Sequence, residues 1–127
     1  MEISAAQMVA SAKAHIDNLS PDEVDAELKT GSVTLVDIRE AEERLERGHL
    51  PGAIHAPRGM LEFYADPTSP YHRPEFDLES RLILTCASGG RSALATETLQ
   101  RMGYANVAHL DGGLNAWIGQ GLPVDAG

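Results

Sequence analysis

Two short runs, Val33-Thr34-Leu35-Val36-Asp37 and Arg81-Leu82-Ile83-Leu84-Thr85-Cys86, are nearly all apolar and do not alternate with polar residues. A strand of that kind has no face to offer water, so it belongs in a parallel sheet covered on both sides. Helical patterns supply the cover. The segment Ser4 to Leu19 opens with a Ser4-x-x-Gln7 capping pattern and carries Val9, Ala12, Ile16 and Leu19 at helical spacing, predicting an amphipathic helix. Ser20, Pro21 and Glu23 start a second helix that Gly31 stops, so two helices are expected before any strand.

Beyond Val33–Asp37, a highly charged helix is expected from Arg39 to Arg47, ending at Gly48, then a minimal strand at Ile54-His55-Ala56 and a short helix from Met60 to Tyr64. Pro67, Pro70 and Pro74 mark an irregular crossing from Ala65 to Phe76. The charges of His72 and Arg73 within it, and of Arg58 before it, are expected to be solvated rather than to rim a site. Arg81–Cys86 is the clearest buried strand. It is followed by a helix from Ser92 to Met102, a strand from Val107 to Leu110 and a last helix from Leu114 to Ile118. Alternation at this spacing predicts one α/β domain with a mostly parallel sheet.

The chain has 127 residues, 43% hydrophobic and 23% charged, which suits a single globular core. Nineteen acidic against ten basic side chains give a net charge of −9, which disfavours nucleic acid and anionic membrane partners. No apolar stretch approaches the roughly 20 residues of a membrane span. Glu2 and Asp17 interrupt any leader-like pattern, so a cytoplasmic protein is expected. The single cysteine, Cys86, excludes an internal disulfide and a structural zinc site. The five histidines show no metal-ligand spacing, and the sequence implies no cofactor.

The loop Cys86-Ala87-Ser88-Gly89-Gly90-Arg91-Ser92 lies where a buried strand gives way to a helix, the position at which open α/β sheets bind ligands. Glycines there let backbone N–H groups converge on an anion, and the helix N-terminus adds its own unpaired donors. An unperturbed thiol of pKa about 8.5 is only about 3% ionised at neutral pH, and a helix end contributes roughly 0.3–1 kcal/mol. A thiolate therefore needs the N–H ring and a cation as well. Arg91 opposes the helix dipole, so helix propensity does not account for it; an anionic ligand does.

With these residues the sequence resembles the rhodanese family of sulfurtransferases in its single-domain form. The match is carried by Val36-Asp37-Ile38-Arg39, by Gly48-His49-Leu50-Pro51-Gly52-Ala53 and by the Cys86–Ser92 loop. Leu110-Asp111-Gly112-Gly113-Leu114-Asn115-Ala116-Trp117 and Gly121-Leu122-Pro123-Val124 complete it. The resemblance implies a three-layer domain with a mostly parallel sheet of about five strands and helices on both faces, over residues 20–127. Residues 1–19 are expected to form an N-terminal amphipathic helix outside that module. It also implies that Cys86 is the nucleophile and that Ala87, Ser88, Gly89, Gly90, Arg91 and Ser92 bind substrate. Asp37 and Arg39 would brace the loops as an ion pair, with His49 and Trp117 in packing or loop-pinning roles.

The implied reaction moves a sulfane sulfur from thiosulfate or a persulfide through a Cys86 persulfide to cyanide or a thiol, without a metal. Two other readings compete. A cysteine phosphatase or arsenate reductase also sets a thiolate and an arginine around an anion, but its loop holds one residue more than the four between Cys86 and Arg91. A sulfur carrier that hands its persulfide to a partner protein is the second.

Overall fold

The structure is a computed structural model describing residues 1–127. Five parallel strands form one sheet: β1 (Asp17–Leu19), β2 (Val33–Asp37), β3 (Ile54–His55), β4 (Arg81–Thr85) and β5 (Val107–Leu110), in the order β1-β5-β4-β2-β3. Six helices surround it: α1 (Ala5–Lys13), α2 (Pro21–Leu28), α3 (Ala41–Arg47), α4 (Leu61–Ala65), α5 (Gly90–Arg101) and α6 (Gly113–Gly119).

The two apolar runs sit at the centre of the sheet for the reason their composition gave. Leu82, Leu84 and Val36 bury on one face against Leu61 of α4 and Ala95 and Leu99 of α5. Ile83 and Leu35 bury on the other against Val24 of α2 and Leu114 and Trp117 of α6. Alternate residues of one strand thus feed two cores. α1 lies against α5 as an outer helix.

The N-terminal segment differs from the expected helix. Its capping box is present, with Ser4 Oγ accepting from the Gln7 N–H at 3.0 Å, but the helix ends at Lys13. Asp17–Leu19 is instead an edge strand pairing with Ala108–Leu110, so a strand precedes the second helix. Ala12, Ile16 and Leu19 fit a helical stripe, yet Leu19 reaches the core equally well from an extended backbone once β5 offers its edge. Asn18 secures the break by donating from Nδ2 to the carbonyls of Lys13 (2.9 Å) and Ile16 (3.2 Å).

Other boundaries shift by one or two residues. α3 starts at Ala41 because Glu40 is its extended N-cap residue and Arg39 before it is buried, β4 ends at Thr85, and α5 starts at Gly90. The crossing between α4 and β4 is pinned rather than solvated. Tyr104 Oη donates to the Ala65 carbonyl at 2.6 Å, and burial pushes its phenol up to about 12. Arg73 donates to the His55 carbonyl at 2.7 Å while lying over the Tyr64 ring. His72 contacts the Phe76 carbonyl, and Arg58 pairs with Glu62 one helical turn on. No helix is long and apolar enough to cross a membrane.

Candidate active site

β4 delivers Cys86 to the C-terminal end of the central strand, where it is 1% exposed. The chain then turns tightly into α5. Gly89, at φ +98°, makes that turn, and a Cβ there would lie 2.9 Å from the Gly112 nitrogen. Only glycine satisfies both conditions. The N–H of Gly89 points at Sγ from 3.1 Å and that of Ser92 from 3.4 Å.

A second turn, between β5 and α6, clamps the loop from behind. Leu114 N–H donates to the Cys86 carbonyl at 2.9 Å, and Asn115 N–H donates to that of Ala87 at 3.0 Å. Gly113 has φ +57°, and a Cβ on it would press to 2.5 Å from the Cys86 carbonyl oxygen. The Gly112-Gly113 pair therefore brings α6 close enough to hold the cysteine backbone.

Of the loop residues expected to surround a ligand, Gly89 and Ser92 direct N–H groups at the sulfur. Ala87, Ser88 and Gly90 line the same turn without bonding to it, Ser88 on the exposed side. Arg91 is already partnered. Its Nη1 and Nη2 lie 2.7 and 2.9 Å from the two carboxylate oxygens of Glu43, on the first turn of α3. That contact holds the Glu43 carboxyl down at about 2 and raises the guanidinium further above its ordinary value. Glu43 was hidden among the charges of α3 when read from sequence alone.

Behind the sulfur lies a buried polar chain. Ser92 Oγ is 3.5 Å from Sγ and 2.8 Å from His109 Nδ1, and His109 Nε2 is 2.7 Å from Asn18 Oδ1. Ser92 and His109 are fully buried. Burial pulls the His109 imidazole down to about 4. The one sequence signal for His109 is a polar side chain inside the otherwise apolar run Val107–Leu110.

At the end of β2, in register with Thr85 of β4, lies a buried ion pair. Asp37 and Arg39 are both 1% exposed, with Arg39 Nε 3.0 Å from Asp37 Oδ1 and Nη2 2.8 Å from Oδ2. Arg39 also donates to the Gly48 carbonyl at 2.7 Å, stitching β2 to the end of α3. Arg44 Nε lies 3.3 Å from Asp37 Oδ2 as a charge contact that makes no hydrogen bond. His49 is pinned by main-chain bonds to Asp125, and Trp117 is buried with Nε1 donating to the Pro123 carbonyl at 2.8 Å. No three His, Cys, Asp or Glu side chains converge as they would around a metal ion. The surface hollows lie elsewhere, and none opens onto Sγ.

Comparison with known proteins places this geometry. Residues 20–120 match the model of the rhodanese-like domain. The chain belongs to the rhodanese-like family. A sulfurtransferase of Allochromatium vinosum is 34% identical over 97 residues, 76% of this chain and 82% of its own length. YrkF of Bacillus subtilis (strain 168), by name a candidate sulfur carrier, is 32% identical over 89 residues, 70% of this chain but only 43% of that protein. Among solved structures, RPA3614 of Rhodopseudomonas palustris CGA009 superposes with a TM-score of 0.93 at 39% identity. The superposition covers 98% of this chain and 96% of that one, and RPA3614 is described as of unknown function and a possible tyrosine phosphatase. This rhodanese-like domain carries its β1 edge strand in the residues that precede the family match.

Proposed function

We propose that the protein is a sulfurtransferase in which Cys86 carries the transferred sulfur. The observation that carries this reading is the convergence of the Gly89 and Ser92 N–H groups on Sγ at the N-terminus of α5. Those donors stabilise a negative sulfur, first as thiolate and then as persulfide. The thiolate attacks the outer sulfur of thiosulfate or of a persulfide donor, the S–S bond of the donor breaks, and sulfite or a thiolate leaves with the electron pair. Cyanide, a small thiol or a thiol on a partner protein then takes the outer sulfur and returns Cys86 as thiolate. The N–H bonds of Arg91 that do not face Glu43 offer a small anionic donor a cation at the loop's edge. Asp37, Arg39 and His49 support this loop without touching substrate, and no step calls on a cofactor.

The test mixes protein, thiosulfate and cyanide and follows thiocyanate, with Cys86→Ser as control. Turnover lost in the variant, and one added sulfur on Cys86 by mass spectrometry after thiosulfate alone, support the assignment. Equal turnover in both proteins overturns it.

The description of RPA3614 supports one rival, a cysteine phosphatase. Four residues between Cys86 and Arg91 make a cradle tighter than a phosphoryl group requires. Hydrolysis of an aryl phosphate that disappears with Cys86 would favour that rival. The name of YrkF supports a carrier role, which predicts stable Cys86 persulfide with negligible transfer to cyanide or small thiols.

A further inference from the structure

The polar chain behind Cys86 has a definite direction. Asn18 Nδ2 donates to two carbonyls, so Oδ1 is the group turned toward His109. Nε2 of the ring must then carry a hydrogen, and in the neutral imidazole Nδ1 is bare. Ser92 donates its hydroxyl hydrogen to Nδ1 across 2.8 Å, in preference to the Gly89 carbonyl at 3.3 Å. Its oxygen is left to accept the Cys86 S–H at 3.5 Å. Every hydrogen in the chain points away from the sulfur: S–H to Ser92, O–H to His109 and Nε2–H to Asn18.

A coupled shift of two protons reverses the Cys86–Ser92 and Ser92–His109 bonds without losing a partner. The S–H bond breaks as Ser92 Oγ gains that proton, and the Ser92 hydroxyl proton passes to Nδ1. The product is a thiolate accepting from Ser92, beside an imidazolium that donates to Ser92 and Asn18. The Asn18 amide takes the proton no further. Since Cys86 is 1% exposed, this route avoids carrying the proton through the loop to bulk water.

We propose that Ser92 and His109 form a proton relay for Cys86, with His109 a positioning residue that acts through Ser92 and stores the thiol proton while the sulfur reacts. The idea deepens the sulfur-transfer reading and rests on it for the identity of the reacting sulfur. In the first half-reaction Cys86 thiol and thiosulfate become persulfide anion, sulfite and a proton on His109. In the second, cyanide leaves as thiocyanate with the outer sulfur, and the stored proton returns to Cys86.

The charged groups facing the ring are Lys13 at the end of α1, which opposes its protonation, and Asp17 of β1 and Asp111 beyond β5, which favour it. From α5 the ring meets the neutral Ser92 hydroxyl, while the Arg91 guanidinium is turned to Glu43 and its charge acts on Cys86. The neutral ring is therefore the resting form of His109, and the imidazolium is a minority state drawn on during reaction.

The relay leaves a signature in pH. Thiolate formed by loss of a proton to solvent falls about tenfold for each unit below the thiol pKa. Thiolate formed by internal transfer holds constant until His109 itself takes a proton from solvent, at about 4. The experiment measures the rate of Cys86 alkylation by a small neutral haloacetamide against pH, which this single-cysteine chain reports without ambiguity. The wild type is expected to bend to a plateau in acid. His109→Asn, which keeps a neutral acceptor near Nδ1, and Ser92→Ala are expected to keep falling, at least about tenfold below wild type on the plateau. A wild-type rate that falls without a bend down to about pH 4 overturns the relay even if neither variant folds. A plateau that survives in folded His109→Asn also overturns it. Sulfur loading by thiosulfate is read separately by mass: loading without a plateau defeats the relay alone, and a plateau without loading defeats the sulfur-transfer reading alone.

Discussion

Arg91 and Glu43 meet side by side, Nη1 to Oε1 at 2.7 Å and Nη2 to Oε2 at 2.9 Å, across the gap between α5 and α3. The cation that stands against the dipole of α5 is thereby neutralised by a carboxylate 48 positions earlier in the chain. Glu43 aims the guanidinium and also competes with any anion that approaches it.

The two residues should therefore act in opposite directions on donor binding. Arg91→Ala is expected to raise KM for thiosulfate about tenfold, the worth of a lost charge-assisted hydrogen bond. Glu43→Gln removes the competing charge and is expected to leave KM equal or lower. Both side chains are substantially exposed, so either change should move folding stability by less than about 1 kcal/mol. Steady-state kinetics with parallel denaturant titrations check this. A rise in KM of similar size in both variants would show that aiming matters more than charge.

Asp37 and Arg39 behave differently because water cannot replace a missing partner. Arg39→Ala leaves a carboxylate 1% exposed, with Arg44 as its one remaining cation. The expected loss of stability is about 3–5 kcal/mol, and Asp37→Asn should cost a comparable amount by stranding the guanidinium. Urea unfolding would settle the matter; a change under about 1 kcal/mol in both would mean the pair braces nothing.

The buried imidazole links stability to pH. Its folded value of about 4 lies below the ordinary 6.5, so between those limits the unfolded chain binds a proton that the folded chain refuses. Stability is complete above 6.5 and declines as pH falls toward about 4, by about 3 kcal/mol for the full shift. His109→Asn should flatten that part of the profile while lowering its top. Thermal unfolding measured across the window decides it, and parallel slopes in the two proteins would place the titration elsewhere.

What the sequence revealed divides along the same line. The Cys86–Ser92 loop was readable because a strand end, two glycines and a helix start are contiguous, and their order alone fixes where the N–H groups point. The Asp37–Arg39 pair was readable because its members are two positions apart. Asp17–Leu19 was misread because three residues at an edge take their conformation from β5, more than 90 positions away, while Ile16 and Leu19 fit a helix equally well. His109 stood out as a polar residue in an apolar strand. Nothing local says that it reaches Ser92, since only the β4-α5-β5 crossover brings them to 2.8 Å.

Asn18 joins that misread strand to the site, which makes it the most informative residue to change. It does two jobs: Nδ2 closes the carbonyls left by the end of α1, and Oδ1 fixes the hydrogen on His109 Nε2. Asn18→Asp keeps an acceptor facing Nε2 and adds a negative charge within hydrogen-bonding distance, which favours the imidazolium. The His109 titration followed by nuclear magnetic resonance should move upward from about 4 by at least about one unit. With the imidazolium more accessible, the stability loss in acid should shrink, even as the lost Nδ2 donors lower stability uniformly by about 1–3 kcal/mol. Asn18→Ala, which removes donor and acceptor together, should show the uniform loss without the upward titration. An unmoved His109 titration in the aspartate variant would mean that β1 closes the sheet edge without governing the ring behind Cys86.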